Sequence, residues 1–153
     1  MSYVQIFIHA VVRTYKSEHT LPTDDRVKFL YREMYGIIKN KGSHLYRINS
    51  MSDHVHLLFT LPPTIAISDF MKALKASSSK AIKSADGFEK FKAWGEGYAG
   101  LSYSVNDVDR IVKYIINQQE HHKTVCFKDE YMAFIQGKRI KIHLSFFFFS
   151  TNY

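Results

Sequence analysis

Chemistry is most legible in the run Asp53-His54-Val55-His56-Leu57-Leu58-Phe59. In extended backbone, side chains alternate between faces, so His54 and His56 share one side while Val55, Leu57 and Phe59 share the other. Their Cα atoms then stand ~7 Å apart, a separation from which both rings can reach a single metal ion. Rigid sheet backbone would fix that geometry. The same alternation also suits two histidines facing solvent from a half-exposed strand.

A second pair lies further along. Tyr114 and Gln118 are four residues apart, one above the other on the same side of a helix. At ~100° per residue the apolar stripe centres near Val108 and Ile115, and the pair falls roughly 90 to 130° away. That places a phenol and an amide beside the core face, with the Gln118 carbonyl oxygen offered as a third ligand to a hard cation. A boundary tyrosine and a solvated glutamine would show the same spacing. A histidine-triad nucleotide hydrolase would need a third histidine where this chain has Leu58.

The elements that must position these groups follow from periodicity. Val4, Ile6, Ile8, Ala10 and Val12 recur at period two and predict a first strand. Thr23 is a candidate N-cap for a helix carrying Val27, Leu30, Tyr31, Met34, Ile37 and Ile38, ended by Gly42. His44 to Asn49 and Val55 to Thr60 predict a hairpin across Ser50-Met51-Ser52-Asp53. After Pro62 and Pro63, a helix from about Ser68 buries Phe70, Met71, Leu74, Ala81 and Ile82 until Asp86-Gly87. The glycine-rich stretch Phe88 to Tyr103 reads as a loop, then an edge strand over Ala99 to Tyr103. Ser104 with Asp107 can cap one last long helix with the stripe Val108, Ile111, Val112, Ile115 and Ile116. This order suits an α+β fold: a ferredoxin-like, RRM-like antiparallel sheet with helices mainly on one face, plus a C-terminal tyrosine-bearing helix.

A chain of 153 residues has room for one such core and no second domain. We read residues 1–139 as a single domain and 140–153 as an apolar tail, whose block Phe146 to Phe149 should pack on the body or on a partner. The net charge of +7 favours an anionic partner, nucleic acid or an acidic membrane surface. Cys126 is the only cysteine, which excludes an intramolecular disulfide and suits a reducing compartment. With no signal-peptide pattern at the start and no apolar run near ~18 residues, a cytoplasmic protein is expected.

His54-Val55-His56, Trp94-Gly95-Glu96-Gly97-Tyr98 and Tyr114-Ile115-Ile116-Asn117-Gln118-Gln119-Glu120-His121-His122 occur in that order. Over roughly residues 3 to 136 the chain thereby resembles the single-tyrosine HUH transposases of bacterial insertion sequences, including those of the REP-associated kind. The resemblance implies His54, His56 and Gln118 as ligands of a divalent metal and Tyr114 as the nucleophile on DNA. It implies Mg²⁺ or Mn²⁺, no nucleotide cofactor, a 5′-phosphotyrosine intermediate with a free 3′-hydroxyl, and cleavage and rejoining of single-stranded or hairpin DNA. It further implies a homodimer, some relatives sharing active sites between subunits, and a location beside the bacterial nucleoid. The tail from 140 matches nothing in the family.

Around this site, His121 is nearer Tyr114 by helical angle and could orient the phenol or a phosphate, while His122 turns toward the apolar side as packing. Lys72, Lys75, Lys80 and Lys83 give one helix a basic side, and Arg47, Arg110 and Lys113 add charge near the site. Trp94 and Tyr98 can stack on unpaired bases or anchor the loop in the core. Two other functions fit less of the pattern: a non-cutting module that binds hairpin nucleic acid, and a metal-dependent nucleotide hydrolase.

Overall fold

The computed structural model describes residues 1–123, 129, 130, 132 and 133. The tail 140–153 and Cys126 lie outside the described residues. The elements are β1 (Phe7–Arg13), α1 (Lys28–Asn40), β2 (Leu45–Ser50), β3 (His54–Thr60), α2 (Ile67–Ile82), β4 (Ala99–Tyr103), α3 (Val108–Ile116) and α4 (Gln118–His121). The strands form one antiparallel sheet in the order β2-β3-β1-β4. With α1 and α2 as the two crossovers, this is the ferredoxin-like α+β architecture.

The period-two positions explain the main layer. Ile8, Ala10 and Val12 of β1 and Val55, Leu57 and Phe59 of β3 face one side. Leu30, Met34 and Ile38 of α1 and Phe70, Met71, Leu74 and Ile82 of α2 close over them. Phe59 and Phe70 stack with centroids 4.7 Å apart. Each such buried side chain contributes roughly 1.5–3 kcal/mol, enough in sum to hold the sheet flat against the helix pair.

The other side of the sheet carries His9, Arg13, His54, His56 and Leu58, and α3 covers it through Ile111 and Ile115. This second cover removes the alternative of solvent-facing histidines: His54 is 0% exposed and His56 is 1%.

Several boundaries differ from expectation. β1 begins at Phe7, whose neighbours Thr60 and Tyr103 end their own strands, so Val4 finds no ladder partner and is exposed. The cap before α1 is Asp24, not Thr23; its carboxylate accepts from the Arg26 amide at 3.0 Å and opens a 3-10 turn, Asp25–Val27. In α2 Ser78 rather than Ala81 is buried, because its hydroxyl accepts the Trp94 indole N–H.

The expected single last helix is broken at Asn117. Asn49 on β2 donates its side-chain amide to the Ile115 carbonyl at 2.8 Å and pairs with the Gln119 amide at 2.9 Å in both directions. It takes the carbonyl that a continuing helix would use for the residue-119 amide. α3 therefore ends at Ile116, and α4 follows after Asn117, with His122 just beyond it against His54.

Candidate active site

β3 delivers His54 and His56, and its neighbours fix their rings. Nδ1 of His54 lies 2.6 Å from Oδ1 of Asp53, whose carboxylate is mostly buried. Burial alone would raise the Asp53 pKa, but the His54 hydrogen bond and nearby imidazoles outweigh it and hold the carboxyl below its usual value. Nδ1 of His56 lies 2.9 Å from Nε2 of His9, contributed by β1 and fully buried. With both Nδ1 atoms engaged, both Nε2 atoms are left to face α3 and α4. Imidazoles that hold metals are oriented by this kind of partner.

Opposite them stand Tyr114 and a carboxylate. The Tyr114 ring centroid is 5.8 Å from that of His56, 6.0 Å from His9 and 5.7 Å from His121. Glu130 is 4% exposed, with Oε1 3.1 Å from Nε2 of His56 and Oε2 2.8 Å from Nε2 of His121 and 3.3 Å from Nε2 of His122. Burial would raise Glu130, yet hydrogen bonds from His122 and His56 keep it well below the usual carboxylate range, so it is an anion. Burial, then the Glu130 charge, push the Tyr114 phenol well above its usual value. Burial also pushes His56 down to about 4, leaving a neutral ring with a lone pair to give.

Ligand atoms of His54, His56, His122 and Glu130 all lie within 4.8 Å of one another. A nitrogen- and oxygen-rich cluster of that size fits one divalent cation. Gln118, buried and expected at this site, is at its edge: its side-chain N–H donates to the Tyr114 carbonyl at 3.4 Å, and Oε1 is 2.9 Å from Nε2 of His122.

Sequence reasoning missed His9 and Glu130 and took His122 for packing; four residues after Gln118, His122 shares its side of the chain and enters the cluster, its ring 4.7 Å from that of His54. A signal for His9 was its parity: it lies on the β1 face opposite the apolar Ile8, Ala10 and Val12.

The expected nucleic-acid contacts divide by layer. Arg47, Arg110 and Lys113 are exposed on the elements that bear or cover the histidine face, although Arg110 also reaches Asp107 at 3.3 Å. Lys72, Lys80 and Lys83 are exposed on α2, which packs against the opposite face. Lys75 is partly withdrawn, donating to the carbonyls of Gly95 and Gly97 at 2.7 and 3.0 Å. Trp94 is 7% exposed and T-packed on Phe91, an anchor of the core rather than a platform for bases; Tyr98 is half-buried against the same cluster. Gly95 sits where a Cβ would stand 2.9 Å from the Arg13 side chain and the Thr14 carbonyl, so only glycine lets this loop reach β1.

Comparison with known proteins agrees with this architecture. Residues 2–119 match the IS200-like transposases. The ISDra2 transposase TnpA of Deinococcus radiodurans is 36% identical over 101 residues, which span 63% of this chain and 70% of that protein. The transposase for insertion sequence element IS200 of Salmonella typhimurium is 31% identical over 87 residues, 54% of this chain and 57% of that one. Among solved structures, a Deinococcus radiodurans protein described as a transposase superposes with TM-score 0.58 at 28% identity, covering 77% of this chain and 95% of its own. A REP-associated tyrosine transposase bound to a REP hairpin shares the fold, with TM-score 0.58 at 16% identity over 82% of this chain and 73% of its own. The chain belongs to the IS200-like transposase family.

Proposed function

We propose that this chain is a DNA transposase that cleaves and rejoins single-stranded DNA, with Tyr114 as nucleophile and a 5′-phosphotyrosine intermediate. The observation that carries this reading is the approach of the Tyr114 ring to the buried imidazoles of His9 and His56 and to the partly exposed imidazole of His121 within one chain. His54 and His56, with Gln118 at the edge of the cluster, are the residues expected to hold a divalent ion, Mg²⁺ or Mn²⁺ by the resemblance. Such an ion supplies positive charge that offsets the negative charge of the scissile phosphate.

The chain's own residues do the rest. The Tyr114 hydroxyl oxygen forms a bond to phosphorus as the bond from phosphorus to the 3′-oxygen breaks. The phenolic proton passes to the His121–Glu130 pair beside the ring, whose nitrogen and oxygen are 2.8 Å apart, and the departing 3′-oxygen takes a proton from water. One phosphodiester replaces another, so a second 3′-hydroxyl can reverse the step and join a new strand. Arg47 and Lys113, both exposed, are the residues expected to meet the phosphates of the incoming strand.

The hairpin held by the structural neighbour makes hairpin DNA the natural partner. A homodimer in the bacterial cytoplasm completes the proposal. No helix among the described residues is long and apolar enough to cross a membrane. Because Tyr114 reaches the histidines of its own chain, exchange of tyrosine helices between subunits is not needed to build a site.

The test is incubation with a single-stranded oligonucleotide carrying a hairpin, in Mg²⁺ or Mn²⁺, followed by a denaturing gel. Wild type should form a covalent adduct, and Tyr114→Phe should bind the DNA without forming one. Adduct at the wild-type level in Tyr114→Phe sinks the nucleophile assignment. Hairpin binding with no adduct in wild type would put a non-cutting binding module in its place.

A further inference from the structure

We propose that Glu130 and His122 are metal ligands beside His54 and His56, making a centre of three imidazoles and one carboxylate that prefers transition-metal ions such as Mn²⁺, Co²⁺ or Zn²⁺ to Mg²⁺. The inference rests on the transposase reading for the presence of a metal and goes beyond it in ligand set and selectivity. Four donor atoms from β3, the turn after α4 and residue 130 fall within 4.8 Å of one another. Two of the spacings, 3.1 Å from His56 to Glu130 and 3.3 Å from His122 to Glu130, already match those of donors ~2.0–2.1 Å from a shared ion.

The surroundings also fit ligands better than a hydrogen-bonded knot. Glu130 is an acidic side chain 4% exposed among four histidines, His54, His56, His121 and His122, three of them inside the cluster. A buried carboxylate needs a cation or several hydrogen-bond donors, and here it shares one small cluster with three imidazoles. A divalent ion satisfies both sides together. Outer partners are in place for the two strand imidazoles: Asp53 on Nδ1 of His54 and His9 on Nδ1 of His56. Magnesium favours carboxylate, phosphate and water oxygens, while three imidazole nitrogens suit manganese, cobalt and zinc.

The experiment is calorimetric titration of the metal-free full chain with Mn²⁺, Zn²⁺ and Mg²⁺, for wild type, Glu130→Gln, His122→Ala and His54→Ala, with circular dichroism to confirm folding. Wild type should bind Mn²⁺ and Zn²⁺ at least tenfold more tightly than Mg²⁺. Glu130→Gln and His122→Ala should each lose more Mn²⁺ affinity than the ~10–100-fold typical of losing an outer hydrogen-bonded partner. The visible absorption of the Co²⁺-loaded protein should change in both. Smaller losses and an unchanged Co²⁺ spectrum in both variants, with binding abolished in His54→Ala, would overturn the ligand assignment and leave the transposase site intact. Wild-type Mn²⁺ affinity in His54→Ala would instead remove the metal site on which the transposase reading depends. His122→Ala, at the rim with its side chain 8% exposed, keeps the test open should Glu130→Gln fail to fold.

Discussion

Nε2 of His9 on β1 lies 2.9 Å from Nδ1 of His56 on β3, with the two rings stacked at 5.1 Å. Only one of the two nitrogens can carry the shared proton. For His56 to turn a lone pair toward α3 and α4 at Nε2, its Nδ1 must hold the proton and His9 must accept it. His9 is thereby a positioning residue, one that acts through His56. We expect His9→Ala to weaken Mn²⁺ binding and slow adduct formation by roughly 10–100-fold, with Tyr114 untouched. His9→Gln, whose carbonyl can accept the same proton, should recover part of both. Equal losses in the two variants would mean that His9 serves packing alone.

A pH dependence follows from His56. Burial takes its pKa from an ordinary 6.5 to about 4, so the unfolded chain takes up a proton before the folded one does. Stability of the metal-free protein should be complete above pH 6.5 and decline as pH falls toward 4. Melting temperature across that window, in the presence of a chelator, should fall in wild type and vary less in His56→Gln. A flat wild-type profile would show that the ring is not held neutral.

Trp94 illustrates how the loop before β4 is fixed. Its indole N–H donates to the Ser78 hydroxyl at 2.9 Å, and its ring packs on Phe91. Trp94→Ala should cost about 3–5 kcal/mol in chemical denaturation, and Ser78→Ala about 1–3 kcal/mol through the stranded donor. Ser78→Ala should leave affinity for single-stranded DNA unchanged, since this face points away from bases.

The two layers of positive charge make separable contributions. Arg47→Ala and Lys113→Ala should each lower hairpin affinity and reduce the slope of log affinity against log salt by about 0.7–0.9. Lys80→Ala and Lys83→Ala, on the helix behind the sheet, should change the slope little. The reverse pattern would move the DNA path to α2.

Much of this arrangement is legible in the sequence because burial writes a period. The alternation through Val55, Leu57 and Phe59 fixes which face of β3 meets the main core and so sends His54 and His56 to the other. The stripe Ile111 and Ile115 likewise places Tyr114 at the boundary of α3. What the pattern does not carry is anything set by a distant partner. The break at Asn117 depends on Asn49, 68 positions earlier, taking a helix carbonyl. His9 joins His56 only through the β1–β3 register, and Glu130 joins His56 only in space. A lone histidine or glutamate in a sequence has no spacing to betray it.

The most direct measurement is peptide mapping of the covalent complex formed with a hairpin oligonucleotide labelled at its 3′ end. Protease digestion and mass spectrometry should place a single nucleotide phosphate on Tyr114, linked through the 5′ side, with a free 3′-hydroxyl on the released fragment. Attachment to Tyr103, Tyr98 or any other residue, or linkage through the 3′ side, would contradict the account of this site.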